Sequence, residues 1–285
     1  MNQRSVRPLQ GAALLALSAL LFACMGVLIH QASATINNEN IVFFRNIVGV
    51  VFFLPLLLSK GLQPFKTKRL KSHLMRTSYG LAAMYCFFYA IAHLPLADAM
   101  LFTYSAPVFT PIIAYFWLKE PLTKRMLAFS LVGLIGVILV AKPSDALFSN
   151  LSLVGLAASL LAATAFVSIR EMSDTEPAYR MVFYFALFSS LISAVPLLWA
   201  WQPLSNEQLL LLFAAGLVAA LAQIIMSRAY SLAPPGVIGP VAYLAIVFAG
   251  IFSLLLWDEV PDLTSVFGAS LIFTASLLAV FWRKH

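Results

Sequence analysis

The sequence predicts an all-α polytopic membrane protein: ten transmembrane helices in two inverted-topology five-helix repeats. Three observations lead there. The first is composition. Of 285 residues, 62% are hydrophobic and 10% charged, with a mean hydropathy of +0.93, against about 45–50% apolar and about 25% charged in a soluble domain. Eleven acidic and 18 basic residues cannot clothe a 31.2 kDa globule in charge, which excludes a soluble enzyme. The second is run length. About 20 apolar residues cross ~30 Å of hydrocarbon, and ten such spans with short connections use up the chain. The third is an echo between the two halves at a near-constant offset.

Taken in order, span one covers 9–30. Its flanks, MNQRSVRPLQ and QASA, mimic a secretory signal with a small-residue cleavage site. The apolar run is longer than such a signal needs, and the repeat requires it as a helix. Span two, 41–58, carries Arg45 and Asn46 near its start and is followed by the longest connection, SKGLQPFKTKRLKSH, residues 59–73. Span three, 74–93, places Tyr85, Phe88 and Tyr89 on one face by their spacing of three and four. Span four, 96–118, begins near Asp98 and contains Tyr104, Pro107 and Pro111. Spans five to seven follow at 123–141, 151–170 and 178–200. Span eight, 207–230, carries Gln223 and Ser227. Span nine, 234–257, opens on Pro-Pro-Gly and contains Pro240 and Tyr243, and span ten covers 262–282. Unbroken runs such as LLLLFAAGLVAALA are helical spans, not the ten-residue alternations of a β-barrel.

Basic residues set orientation. With a cytoplasmic N-terminus, all of the 18 Lys and Arg except Arg45 and Lys142 fall on the cytoplasmic side, and both termini are expected there. The net charge of +7 is therefore a topology signal and gives no reason to expect nucleic acid. The basic loop 59–73 is expected to meet anionic lipid headgroups.

A shift of 139 residues aligns Ala90 with Ala229, Pro95 with Pro234, Tyr104 with Tyr243, Phe109 with Phe248, Ile112 with Ile251 and Glu120 with Glu259. A shift of 141 aligns Ser18 with Ser159 and Pro55 with Pro196. Five spans per copy is an odd number, so the second copy enters the membrane upside down. That inverted repeat recurs in secondary transporters. The expected units are residues 1–145 and 146–285.

Candidate solute contacts follow from the cost of polar groups in hydrocarbon. Arg45 is a candidate to orient an anionic or zwitterionic solute, its alternative being an anchor at the outer headgroups. Asn46, Gln223 and Ser227 should face protein or cavity, where static interhelical hydrogen bonds explain them equally well. Tyr85, Tyr89, Tyr104 and Tyr243 are candidates to line an apolar pocket with polar tips. Pro107, Pro111 and Pro240 should bend their helices and serve as hinges or as packing kinks. His30 and Asp98, near the outer ends of spans one and four, are candidate coupling residues. Glu120 and Glu259 are expected to secure helix ends. Trp117, Trp199, Trp201, Trp257 and Trp282 sit near span ends, as an interfacial belt does. Cys24 and Cys86 read as buried free thiols.

The sequence contains no Walker A loop, no Rossmann fingerprint and no HExxH, and its four histidines lack metal spacing. No enzyme activity, metal or cofactor is expected.

The stretch FYAIAHLPLADAMLFTYSAPVFTPIIAYFWLKEPL, residues 88–122, and its partner SRAYSLAPPGVIGPVAYLAIVFAGIFSLLLWDEVP, residues 227–261, resemble the drug/metabolite transporter superfamily, in particular its bacterial EamA-type ten-helix members. The resemblance extends over 9–282. Glu120 and Glu259 match that family's recurring acidic residue, and Phe44-Arg45 is similar to its arginine early in the second helix. PLADA at 95–99 resembles a subgroup associated with S-adenosylmethionine uptake; the second half has PPGVI there, so Asp98 lacks an acidic counterpart. The resemblance implies a multi-pass protein of the bacterial inner membrane with a central solute cavity lined by spans three, four, eight and nine. By that reading it moves a small organic metabolite, such as an amino acid or derivative or S-adenosylmethionine, by alternating access. The partners expected are that metabolite, membrane lipids, and protons or a counter-transported solute, the protein being a monomer or weak dimer. A non-saturating channel for small organic solutes, or a membrane scaffold without transport, is the alternative.

Overall fold

A computed structural model describes residues 7–93, 102, 104–142, 152–258 and 260–281. Asp98 and Glu259 lie outside the described residues. Helix α1 (Pro8–Ser33) opens on a proline, where the missing N–H would have had no helical partner. Asn37 opens α2 (Asn38–Val51) by accepting from the Asn40 N–H at 3.0 Å. The chain breaks at Phe52-Phe53 ahead of Pro55 and resumes as α3 (Leu54–Lys60). Then come α4 (Leu70–His93), α5 (Ala106–Leu118), α6 (Lys124–Ala141), α7 (Ser152–Met172) and α8 (Ala178–Ser193). A second break, ahead of Pro196, separates α8 from the single turn α9 (Leu197–Ala200). The long α10 (Asn206–Leu232) starts with a reciprocal capping box between Ser205 and Gln208. Span nine is discontinuous: α11 (Pro235–Ile238), a 3-10 turn (Gly239–Tyr243), then α12 (Leu244–Trp257). The last helix is α13 (Leu263–Phe281).

Among the described residues there is no strand, and seven helical stretches are long and apolar enough to cross a membrane: Pro8–Ser33, Asn38–Lys60, Lys124–Ala141, Leu153–Met172, Asn206–Leu232, Pro235–Leu256 and Leu263–Phe281. Helices α5 and α8 are apolar but shorter. Large apolar side chains such as Phe116, Leu198, Leu263 and Phe267 project outward, which suits hydrocarbon and not water.

Two details depart from expectation. Pro107 sits in the first turn of α5, where a proline starts a helix and does not bend it; Pro111 alone lies in the interior. Helix α4 begins at Leu70, a full turn before the expected start of span three. Its early residues therefore enter the protein and do not stay in the basic loop. Part of that loop also docks: Phe65 is buried against Phe53 and Phe183, while Lys66 and Lys68 stay exposed.

Helix ends repeat a pattern. Lys119 (φ 57°) and Asp258 (φ 54°) terminate α5 and α12 in the left-handed region, a costly setting for a side-chain-bearing residue. Each donates its N–H five residues back, to Ala114 and Ser253. The following helices open alike. Thr123 Oγ1 accepts from the Met126 N–H at 3.2 Å, and Asp262 Oδ1 from the Ser265 N–H at 3.0 Å.

The bundle pairs α1 with α10 and α12, α7 with α4 and α5, α2 with α8, and α6 with α13. The last pair meets at two glycines: a Cβ on Gly136 would stand 2.6 Å from the Gly268 carbonyl oxygen, and the reverse holds equally. Such small residues bring helices together where no hydrophobic force can.

Candidate solute cavity

Between these pairs lies a cavity of about 690 Å³. It opens beside the turn joining α1 and α2, where His30, Ser33 and Asn38 line it. It then runs inward to the level of Arg76, Phe166, Ile169 and Met226. Below that level Leu15, Met172, Met181 and Tyr230 fill the interior.

The walls come from α1, α2, α4, α7, α8, α10 and α12, together with Tyr104, a wider set than spans three, four, eight and nine. Helix α4 contributes Arg76, Gly80, Ala83, Met84 and Phe87, one stripe at helical spacing. Tyr85 and Tyr89 lie off that stripe and outside the lining, and Tyr89 is 48% exposed. The cavity thus uses a different face of α4 from the one that carries Tyr85 and Tyr89.

Of the candidates, the structure brings Arg45, Gln223, Tyr104 and His30 into the lining. Asn46 sits just behind, buried, in a pocket of about 20 Å³ shared with Arg45, Phe185 and Gln223. Arg45 Nη1 lies 3.5 Å from Asn46 Oδ1 and 3.8 Å from Met84 Sδ. Ser227 is fully buried one turn beyond Gln223 and outside the lining. Tyr243 is also fully buried away from the cavity. Its hydroxyl donates to the Ser130 carbonyl at 3.0 Å and its ring lies against Gly133, so it is a strut between helices. Pro111 and Pro107 pack against Gly236 and Gly239 of the broken span. The Pro240 carbonyl accepts from Ser276 at 3.1 Å.

Charge position along the chain does not reveal the place of Arg76. Arg76, assigned to the cytoplasmic surface, is 2% exposed and lines the cavity. Its Nη2 donates to Gln223 Oε1 at 2.9 Å, and its guanidinium stands 3.9 Å over the Phe185 ring, within cation–π range. Its Nε and Nη1 are buried without a hydrogen-bond partner. Arg76 and Arg45 are close enough to repel one another. Among the described residues, neither pairs with a carboxylate. The sequence carries one signal for Arg76: the small residues Gly80 and Ala83 at its fourth and seventh following positions continue an inward stripe.

A second buried arginine, Arg170, lies beneath the cavity floor. Its Nε donates to Glu120 Oε1 at 3.0 Å and its Nη1 to the Tyr230 and Ser231 carbonyls at 3.1 and 3.0 Å. Glu120 thus joins the end of α5 to α7 and α10 and touches no cavity surface. Nearby, Glu176 accepts from Thr67 at 2.7 Å and from Arg180 at 3.1 Å, and lies 3.3 Å from His73 Nε2. Arg180 also donates to the Pro64 carbonyl, and Arg69 pairs with Glu171. Burial pushes the His73 imidazole below its usual value, although Glu176 opposes this. Burial raises Glu176, but donation from Thr67 and Arg180 and the proximity of His73 outweigh it and hold the carboxyl below its ordinary range.

An apolar multi-helix bundle enclosing a blind, amphipathic cavity defines a polytopic membrane protein built to hold a small solute. Comparison with known proteins makes the assignment specific. The chain belongs to the EamA-like transporter family, which matches residues 9–142 and again 151–281. It is 33% identical over 270 residues to a protein of Pseudomonas aeruginosa named as a pseudopaline exporter, covering 94% of both chains. It is 25% identical over 284 residues to a Rickettsia felis protein named as an S-adenosylmethionine uptake transporter, covering 100% of this chain and 97% of that one. A solved crystal structure shares the fold with a TM-score of 0.83 at 17% identity, over 96% of this chain and 99% of the other.

Proposed function

We propose that the protein is a secondary transporter of the bacterial inner membrane that carries a small organic metabolite through the central cavity by alternating access. The cavity carries this reading: it is deep, mostly apolar with a few convergent polar groups, and blind at one end. A channel requires a continuous path, and the packed floor under Ile169 and Met226 speaks against one. Amino acids and their derivatives are the solute class, and the substrates named for the two relatives, pseudopaline and S-adenosylmethionine, are candidates for testing.

The proposed architecture is ten spans in two inverted halves, 1–145 and 146–285, with both termini cytoplasmic. Several features support it. The family matches twice, once per half. The left-handed ends at Lys119 and Asp258 and the caps at Thr123 and Asp262 each stand 139 residues apart. The breaks ahead of Pro55 and Pro196 stand 141 apart. Helix pairing obeys the same exchange: α1 with α10 mirrors α7 with α4, and α1 with α12 mirrors α7 with α5. In this orientation the mouth at His30 and Asn38 is periplasmic, and the closed end with Arg170, Glu120, His73 and Glu176 is cytoplasmic. Rocking would pivot where Pro107 and Pro111 meet Gly236, Gly239 and Pro240.

The test is uptake into proteoliposomes of both orientations, with and without a proton gradient. Saturable flux stimulated by solute on the opposite side, and abolished by Gln223→Ala or Tyr104→Ala, is expected. Flux that rises linearly without such stimulation would refute alternating access.

A further inference from the structure

We propose that the cavity selects organic anions, solutes of net negative charge whose acidic groups are held by the Arg45 and Arg76 guanidinium groups, with Gln223 as the neutral contact between them. This rests on reading the cavity as the solute site and names what enters it. The described lining contains no Asp or Glu, while two arginines enter it from α2 and α4. Arg76 is buried, donates once, to Gln223, and keeps two nitrogens without partners. Buried charge is normally paired, and here the two charges also repel each other. A pair of uncompensated cations in apolar surroundings calls for counter-charge from the occupant.

Its chemistry follows from the donors and the walls. Guanidinium groups match the planar or tetrahedral oxygens of carboxylate and phosphate. Phe22, Phe87 and Phe166 suit an organic body. Two acidic groups neutralise both arginines; one leaves a charge over; a net cation adds to the repulsion. S-adenosylmethionine, one carboxylate against an ammonium and a sulfonium, falls on the disfavoured side.

The experiment is calorimetric titration of the purified full-length protein in detergent with probes on one aryl skeleton. These are phenylsuccinate (two carboxylates), 3-phenylpropionate (one), 3-phenylpropionamide (none) and 3-phenylpropylamine (cationic), with phenylphosphonate as the phosphate-type dianion and S-adenosylmethionine alongside. Dianions are expected to bind at least about tenfold tighter than the amide, the range of one charge-assisted hydrogen bond, with the amine and S-adenosylmethionine weakest. Phenylphosphonate against phenylsuccinate tells which oxyanion the site prefers. Arg45→Gln and Arg76→Gln should each weaken dianion binding about tenfold to a hundredfold and leave the amide unchanged, and Arg76→Lys should be intermediate. Equal affinity across the series, tightest binding of a cation, or no binding of either dianion at millimolar concentration overturns the proposal. If the Arg76 variants do not fold, the wild-type series and Arg45→Gln decide. Dianions that bind but never cross proteoliposomes count against transport and not against the anion site. A cation carried in preference to anions does the opposite.

Discussion

Removing the Arg170 guanidinium tests whether the closed end is held by a discrete ion-pair lock. The side chain of Arg170 is 3% exposed and that of Glu120 18%, with 3.0 Å between Nε and Oε1. Charges about 4 Å apart interact by about 4 kcal/mol at an effective dielectric near 20. The partial exposure of Glu120 screens some of this. Arg170→Met also strips the Tyr230 and Ser231 carbonyls of a donor, and losing one member of a buried pair costs about 3–5 kcal/mol. Arg170→Met is therefore expected to destabilise the protein by about 3 kcal/mol. Glu120→Gln, which keeps an acceptor, should cost about 1–2 kcal/mol. The double variant should fall short of the sum by about 1–2 kcal/mol, because the second change removes a carboxylate already stranded by the first. Unfolding in mixed micelles followed by tryptophan fluorescence reads all four corners of the cycle. A cysteine at Ile169, on the cavity floor, should react faster with a water-soluble reagent added from the closed side in Arg170→Met. Additive stabilities with unchanged cysteine reactivity would refute the lock.

Three further outcomes are expected. Acid should destabilise the closed end: the carboxyl of Glu176 is held low and the imidazole of His73 is pushed down. Both groups thus favour folding above their unfolded values, and that contribution is lost as pH falls, from about 6.5 for His73 and about 4 for Glu176. His73→Gln should flatten the melting-temperature profile near neutrality, which a pH series of thermal melts measures. Gly136→Ala and Gly268→Ala should each cost about 1–3 kcal/mol by overpacking, whereas Gly250→Ala, with nothing within 4 Å of the added carbon, should be neutral or stabilising by up to about 1 kcal/mol; micelle unfolding compares them. Tyr243→Phe should lose about 0.5–1.5 kcal/mol of stability with its hydrogen bond to Ser130 and leave solute affinity unchanged, while Tyr104→Phe should alter affinity, both read by solute titration.

The helices were legible because hydrocarbon imposes a length and a polarity on every crossing segment. The cavity was less so. Which face of α4 looks inward is decided by what packs against the other, and aromatic residues serve lipid, core and solute equally well. Tyr85, Tyr89 and Tyr104 are alike in sequence, yet only Tyr104 lines the cavity. Tyr104 and Tyr243 are equivalent under the 139-residue shift, but Tyr243 is sealed under α6. Helix-end partners were hidden for a different reason: Glu120 and Arg170 are 50 residues apart, and no local pattern links them.

Proximity to a span end does not fix where a long basic side chain goes. Lys66 and Lys68 remain exposed. Arg69, Arg170 and Arg180 stand in the same linear neighbourhoods, yet each reaches a carboxylate on the closed end. Arg76 goes further, reaching neither lipid headgroup nor carboxylate, and sits with Arg45 at the cavity wall. Burial and partner separate these roles where position does not. An exposed cation is satisfied by water, and a buried one by a carboxylate. Among the described residues Arg76 has only Gln223 and the Phe185 ring as partners, and the proposed anionic solute is what would supply its counter-charge. The basic residues thus fall into three settings: exposed as Lys66 and Lys68 are, paired with a carboxylate as Arg69, Arg170 and Arg180 are, and buried at the cavity wall as Arg76 is.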